Sequence, residues 1–152
     1  MKTLVLGMGN PILRDDAVGL RVVEALEGLF RGPDVTFAKT STAGLGLIDL
    51  FDGFDRAILI DSIQTGDEPG KVVWLTAEDF VSQQTPFHIH NLDFFQTLSI
   101  GKALYRSIPE KISIVAIEAT DTSTFSEGLS PEVEKAVPRV VEQILAELYK
   151  AT

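Results

Sequence analysis

The sequence predicts an α/β fold: a three-layer sandwich with a roughly five-stranded, mostly parallel sheet between helices. Three observations predict it. Short apolar runs of strand length alternate with longer segments of helical periodicity. One run, Arg56–Asp61, is apolar at consecutive positions, as in strands buried on both faces of a parallel sheet. The chain has 152 residues, 45% of them hydrophobic, enough for one sizeable core. No repeat, low-complexity tract or Ser/Gly-rich linker divides it, so residues 1–152 read as a single domain.

The elements follow in order. Thr3–Leu6 is a short apolar strand and Gly7–Asp15 a loop. Val18, Val22, Leu26 and Leu29 recur at helical spacing and predict a helix from about Asp16 to Phe30. Arg31-Gly-Pro33 breaks it, Val35–Thr40 forms a second strand, and Ser41–Gly44 turns into a short helix over roughly Leu45–Phe51. Arg56–Asp61 is the third strand. Gly66-Asp-Glu-Pro-Gly70 marks a turn before a strand at Lys71–Leu75; the short gap after Asp61 allows a hairpin, and hence a mixed sheet. Asn91–Tyr105 reads as a helix, weakened by Gly101, and Lys111–Ile117 as the fifth strand. Ser130-Pro131 starts the last helix, with Ser as N-cap and Pro at the first helical position. Val133, Val137, Val140, Ile144 and Leu148 form its apolar stripe. Pro138 would cost about 3 kcal/mol inside an unbroken helix, which predicts a kink or a later start.

Charge and composition exclude several functions. Thirteen basic against 22 acidic residues leave a formal charge of -9, which repels nucleic acid and anionic membranes and favours cations or a basic peptide. With no cysteine, disulfides and thiolate metal sites are excluded, a composition that fits the cytoplasm; any metal must use oxygen and nitrogen ligands. The apolar run in MKTLVLGMGN is too short for a signal segment or a membrane span. No exposed apolar stripe is marked, which predicts a monomer.

The candidate chemistry sits where strands end. Asp16, Asp61 and His90 each follow an apolar, strand-like run, and two carboxylates with an imidazole are a workable ligand set for a divalent transition metal. Each position also has a plainer use. Asp15-Asp16 begins a helix, where acids cap and complement the dipole; if Asp15 caps, Asp16 is left to face the sheet rim. Asp61 either carries function or caps the loop through Ile63 or Gln64. His88-Ile-His90 holds both histidines: an extended segment points both rings to one side, or only one ring points inward. Gly7-Met-Gly9-Asn10 suggests a dinucleotide fingerprint, but Ile12 stands where its third glycine belongs, and the second strand ends in Lys39-Thr40 without the ribose-binding acid. Ser41-Thr42-Ala43-Gly44 lacks the nucleophile elbow and reads as a backbone binding loop. Glu118 is a further rim acid with no role legible in the sequence.

Four stretches, in order, resemble the nickel-iron hydrogenase maturation endopeptidases nearly end to end: LVLGMGNPILRDDAVGLRVVEAL, STAGLGLIDLFDGFDRAILIDSIQTGDEPG, HNLDFFQTL and LSPEVEKAVPRVVEQIL. The resemblance implies a five-stranded sheet between helices. It implies removal of a C-terminal extension from the hydrogenase large-subunit precursor after nickel insertion. Asp16, Asp61 and His90 would bind the metal, which is the substrate's own nickel rather than a permanent cofactor. Asp16 and Asp61 would be the catalytic carboxylates, and Gly7, Asn10, Thr42 and Gly44 would line the peptide cleft. The chain departs from the family in three places: Asp16 where many members have Glu, Asp93 where glycine is common, and the extra His88. The choice of His90 rests on the His-Asn-Leu context. Water is activated either by the metal or by a carboxylate, giving a metal-assisted or an aspartic-type endopeptidase. The same ligands also suit a non-proteolytic nickel-binding chaperone of hydrogenase assembly.

Overall fold

The structure, a computed structural model, describes residues 1–41, 46–76, 104 and 107–150. Thr42, Gly44, His88, His90, Asp93 and, apart from Leu104, the helix expected over 91–105 lie outside the described residues. Within them are five strands, β1 (Thr3–Met8), β2 (Val35–Thr40), β3 (Arg56–Ile63), β4 (Val72–Thr76) and β5 (Lys111–Glu118). The helices are α1 (Val18–Leu29), α2 (Gly46–Phe51) and α3 (Pro131–Lys150), and a 3-10 turn, Arg14–Ala17, leads into α1. The sheet order is β2-β1-β3-β5-β4, with β4 alone antiparallel to its neighbour among these strands. The α/β sandwich with a mostly parallel, mixed sheet is therefore the fold.

Both faces of the sheet are apolar, because alternate residues of each central strand point to opposite sides and both sets are hydrophobic. Val5, Ile58, Ile60, Val115 and Ile117 pack under α1 and α3, meeting Val22, Leu26, Val140 and Ile144. Leu4, Leu6, Ala57, Leu59, Ile112 and Ile114 face the other way, where α2 contributes Leu47 and Phe51.

Two glycines let α1 sit hard against the strands that carry the rim. A Cβ on Gly19 would fall 2.2 Å from the Ile60 carbonyl oxygen, and one on Gly7 would fall 2.4 Å from that of Gly19. Only bare backbone fits there. The first residues of α1 are thereby pinned over the ends of β1 and β3.

The sheet is mixed, but not through the expected β3–β4 hairpin. β5 inserts between the two strands, and the chain after Ile63 passes across the carboxyl end of β5. Glu118 holds that passage: its N–H donates to Lys71 O (2.8 Å), its carbonyl accepts from Gly70 N (2.8 Å), and its carboxylate accepts from Thr65 N (2.9 Å). A pairing partner some forty residues downstream leaves no trace in the local pattern.

α3 begins at Pro131 as predicted and runs as one helix through Pro138, with no later start. Pro138 and Glu134 are both exposed, so the carbonyl that loses its helical partner lies on the solvent side. Among the described residues, no helix is long and apolar enough to cross a membrane.

Candidate functional site at the sheet rim

The strand order reverses between β1 and β3: β1 connects outward to β2, and the chain then returns to β3 on the other flank. Loops leaving the carboxyl ends of two such strands part and open a crevice, the usual ligand position in open α/β sheets. Asp16 and Asp61 stand at that point. Gly7 pairs with Ile60, which puts Asp61 one residue further, at the lip.

Asp16 is set by a tight local fold. Gly9 has φ 150°, and a Cβ there would lie 1.9 Å from the Asp16 carbonyl oxygen. The chain thus folds back until Asn10 N donates to Asp16 Oδ2 at 2.8 Å, while Asn10 Oδ1 accepts from Ile12 N at 3.1 Å. Arg14, at φ 47°, then turns the backbone into the 3-10 turn. Asp16 is 3% exposed and Asp61 1%.

Ser62 joins the two acids. Its hydroxyl donates to Asp16 Oδ1 at 3.3 Å and its N–H donates to Asp61 Oδ1 at 2.8 Å. By strand alternation Ser62 looks toward α1 and Asp61 toward the α2 side. The lip therefore gathers one carboxylate from each layer around one serine. Ser62 N–H anchors Asp61, a contact that sequence reasoning missed, since Ser62 carries no signal beyond its place next to an acid at the end of an apolar run.

Asp15 does different work. It makes no helix cap through its side chain; the residue preceding the 3-10 turn is Leu13, also without a side-chain cap bond. Its carboxylate, fully buried, accepts from Ser130 N (2.7 Å) and Ser130 Oγ (2.7 Å) and from Thr120 N (2.9 Å) and Asp121 N (3.0 Å). Asp15 thus clasps the loop between β5 and α3 to the turn bearing Asp16. Ser130, expected as an N-cap, spends its hydroxyl in this clasp and also accepts from Arg14 Nε at 3.1 Å. Gln64 adds a second tie, accepting from Thr122 Oγ1 at 2.9 Å. Asp121, held by the Thr124 hydroxyl and the N–H groups of Ser123 and Thr124, has its carboxyl lowered to about 2.

The other expected site residues divide. Asn10 touches Asp16 through its backbone. Gly7 is buried inside β1, where its lack of a side chain serves the packing of α1. Thr42, Gly44 and His90 fall outside the described residues. Among those described, no three acidic or histidine side chains gather to hold a metal. Glu118, without a role in the sequence reading, is the clamp on the turn after β3.

A five-stranded, mostly parallel sheet flanked by helices, with two buried carboxylates at its switch point, defines a protein of the open α/β class. Residues 20–147 match the family model described as hydrogenase maturation protease, and the chain belongs to that family. It is 32% identical to the hydrogenase 2 maturation protease of Escherichia coli, over 99% of this chain and 93% of that one. It is 30% identical to the hydrogenase expression/formation protein HupD of Bradyrhizobium diazoefficiens, over 96% of this chain and 79% of the relative. The solved structure of the hydrogenase maturating endopeptidase HybD from E. coli superposes with a TM-score of 0.83 at 31% identity, covering 99% and 94% of the two chains. The protein is a hydrolase, an endopeptidase of hydrogenase maturation.

Proposed function

We propose that this rim removes the C-terminal extension of a nickel-iron hydrogenase large-subunit precursor once nickel has been inserted, with the precursor's own nickel as the recognition element. The observation that carries the reading is the pair of buried acids, Asp16 and Asp61, gathered on Ser62 at the switch point. Two adjacent carboxylates, buried and fixed by hydrogen bonds, favour an arriving cation, which offsets their mutual repulsion. Oxygen donors and the imidazole of His90 suit divalent nickel, and the chain offers no thiolate to compete.

Asp16, with one oxygen on Asn10 N and the other on the Ser62 hydroxyl, is a fixed ligand. Asp61 is the general base. Water attacks the scissile carbonyl, Asp61 takes its proton, the C–N bond breaks, and the proton passes to the departing amine. A precursor without nickel gives Asp16, Asp61 and His90 nothing to hold, so it stays uncut. Asn10, through its side-chain amide, and Thr42 and Gly44, through backbone groups, bind the peptide. In this reading the enzyme is a cytoplasmic monomer whose acidic surface meets a more basic precursor.

The test is mass spectrometry of nickel-loaded and nickel-free precursor before and after incubation. Loss of the extension from the loaded form alone is expected, abolished in Asp16→Asn, Asp61→Asn and His90→Gln and retained in His88→Gln. Full activity in the three site variants rejects the site. An unchanged precursor mass despite binding points instead to a nickel-binding chaperone.

A further inference from the structure

We propose that Ile12 and Phe125 form the seat for the precursor, an apolar anchor beside the acids; the identity of the occupant rests on the peptidase reading above. Phe125 is 80% exposed and Ile12 46%. Single exposed apolar side chains are ordinary on protein surfaces, whereas adjoining ones next to a functional rim mark contact sites.

These two adjoin. Leu13 bridges Ser126 in parallel register, Ser126 N donates to Ile12 O at 2.9 Å, and Arg14 N donates to Ser126 O at 3.0 Å. That register sets Ile12 level with Phe125, about 5 Å apart along the backbone spacing of paired strands. Both segments are held firmly. Asp15 accepts the N–H groups of Thr120 and Asp121, and Asp121 accepts those of Ser123 (2.9 Å) and Thr124 (3.0 Å). An aromatic side chain carried on a pre-ordered loop loses little further freedom when a partner covers it, which is the property of a binding hot spot.

The occupant follows from position. Ile12 lies four residues before Asp16, at the entry to the turn that holds it, so a polypeptide reaching Asp16 from this side meets Ile12 and Phe125. The partner surface that fits is an apolar side chain with basic neighbours, since exposed Glu127 lies two residues beyond Phe125 and the chain carries a charge of -9. Leu29 and Tyr149, each 61% exposed, sit at the far ends of α1 and α3.

The experiment measures affinity for the nickel-loaded large-subunit precursor of the same organism, with cleavage followed in the same samples. Phe125→Ser is expected to weaken binding and raise KM about tenfold, and Ile12→Ser by a smaller factor, with the thermal midpoint unmoved. Leu29→Ser, away from the rim, is the control and retains wild-type affinity. Unchanged affinity in both rim variants, or a wild-type protein that does not bind the precursor, overturns the seat. Binding that weakens as expected while the wild-type protein leaves the precursor mass unchanged upholds the seat and rejects the peptidase reading.

Discussion

Replacing Asp15 by alanine removes one carboxylate and strands four donors at once. The two from Ser130 are buried, whereas the amides of Thr120 and Asp121 are partly buried and reach water when released. An unsatisfied buried donor costs about 1–3 kcal/mol. The Ser130 N–H, fixed by the start of α3, falls in the middle of that range; its hydroxyl can rotate and costs less; the loop amides cost a few tenths each. The expected loss is about 4 kcal/mol, which at a urea slope of roughly 2 kcal/mol per molar lowers the midpoint by about 2 M. Asp15→Asn is milder, because its amide oxygen can take the Oδ2 position and keep three of the four contacts, although its NH2 then opposes the Ser130 N–H. Urea unfolding followed by circular dichroism gives both numbers. A double-mutant cycle with Ser130→Ala isolates the hydroxyl, with a coupling of about 1 kcal/mol. A loss below about 1 kcal/mol for Asp15→Ala, or an asparagine variant as unstable as the alanine one, refutes the clasp.

Three further outcomes are expected. Gly19→Ala drives a Cβ into the Ile60 carbonyl, so α1 must shift; a loss of about 2–3 kcal/mol and a thermal midpoint lower by roughly 4–10 °C follow, whereas Gly28→Ala, whose Cβ meets nothing within 4 Å, gains about 0.5–1 kcal/mol. A thermal scan showing equal effects at the two glycines counts against the close helix–strand approach. Pro138→Ala restores one helical hydrogen bond at an exposed position and raises stability by about 1 kcal/mol or more; a drop in the midpoint means the ring is packed rather than tolerated. The Asp121 carboxyl, lowered to about 2 chiefly by the Thr124 hydroxyl, contributes stability that is present above its ordinary value and is lost as the pH falls toward 2. Carboxyl NMR titration is expected to show that low midpoint, moving up in Thr124→Ala; no movement removes the hydroxyl as its cause.

Much of the architecture is legible locally. β2 matches the run Val35–Thr40 residue for residue, and β3 and β5 extend the expected runs by one or two residues, because an apolar strand in a parallel sheet writes itself into consecutive positions. α3 starts at Pro131 for the equally local reason that proline fits a first helical turn. Asp61 stood out because an acid at the end of a buried run needs a partner, and Asp16 because a helix start leaves one of two adjacent acids without a capping role. The division of labour within the Asp pair did not, since Asp15 and Asp16 are chemically identical and only the direction each faces separates a loop clasp from a rim carboxylate.

The order of residues determined which segments become strands and helices and that acids lie at or near the carboxyl ends of two central strands, since periodicity and turn chemistry act over a few positions. Tertiary structure decided the rest: that β5 enters between β3 and β4, that Ser62 draws two acids together, and that Asp15 grips Ser130, 115 residues away. Those choices depend on which surfaces meet when the layers pack, and a partner distant along the chain leaves no local signature.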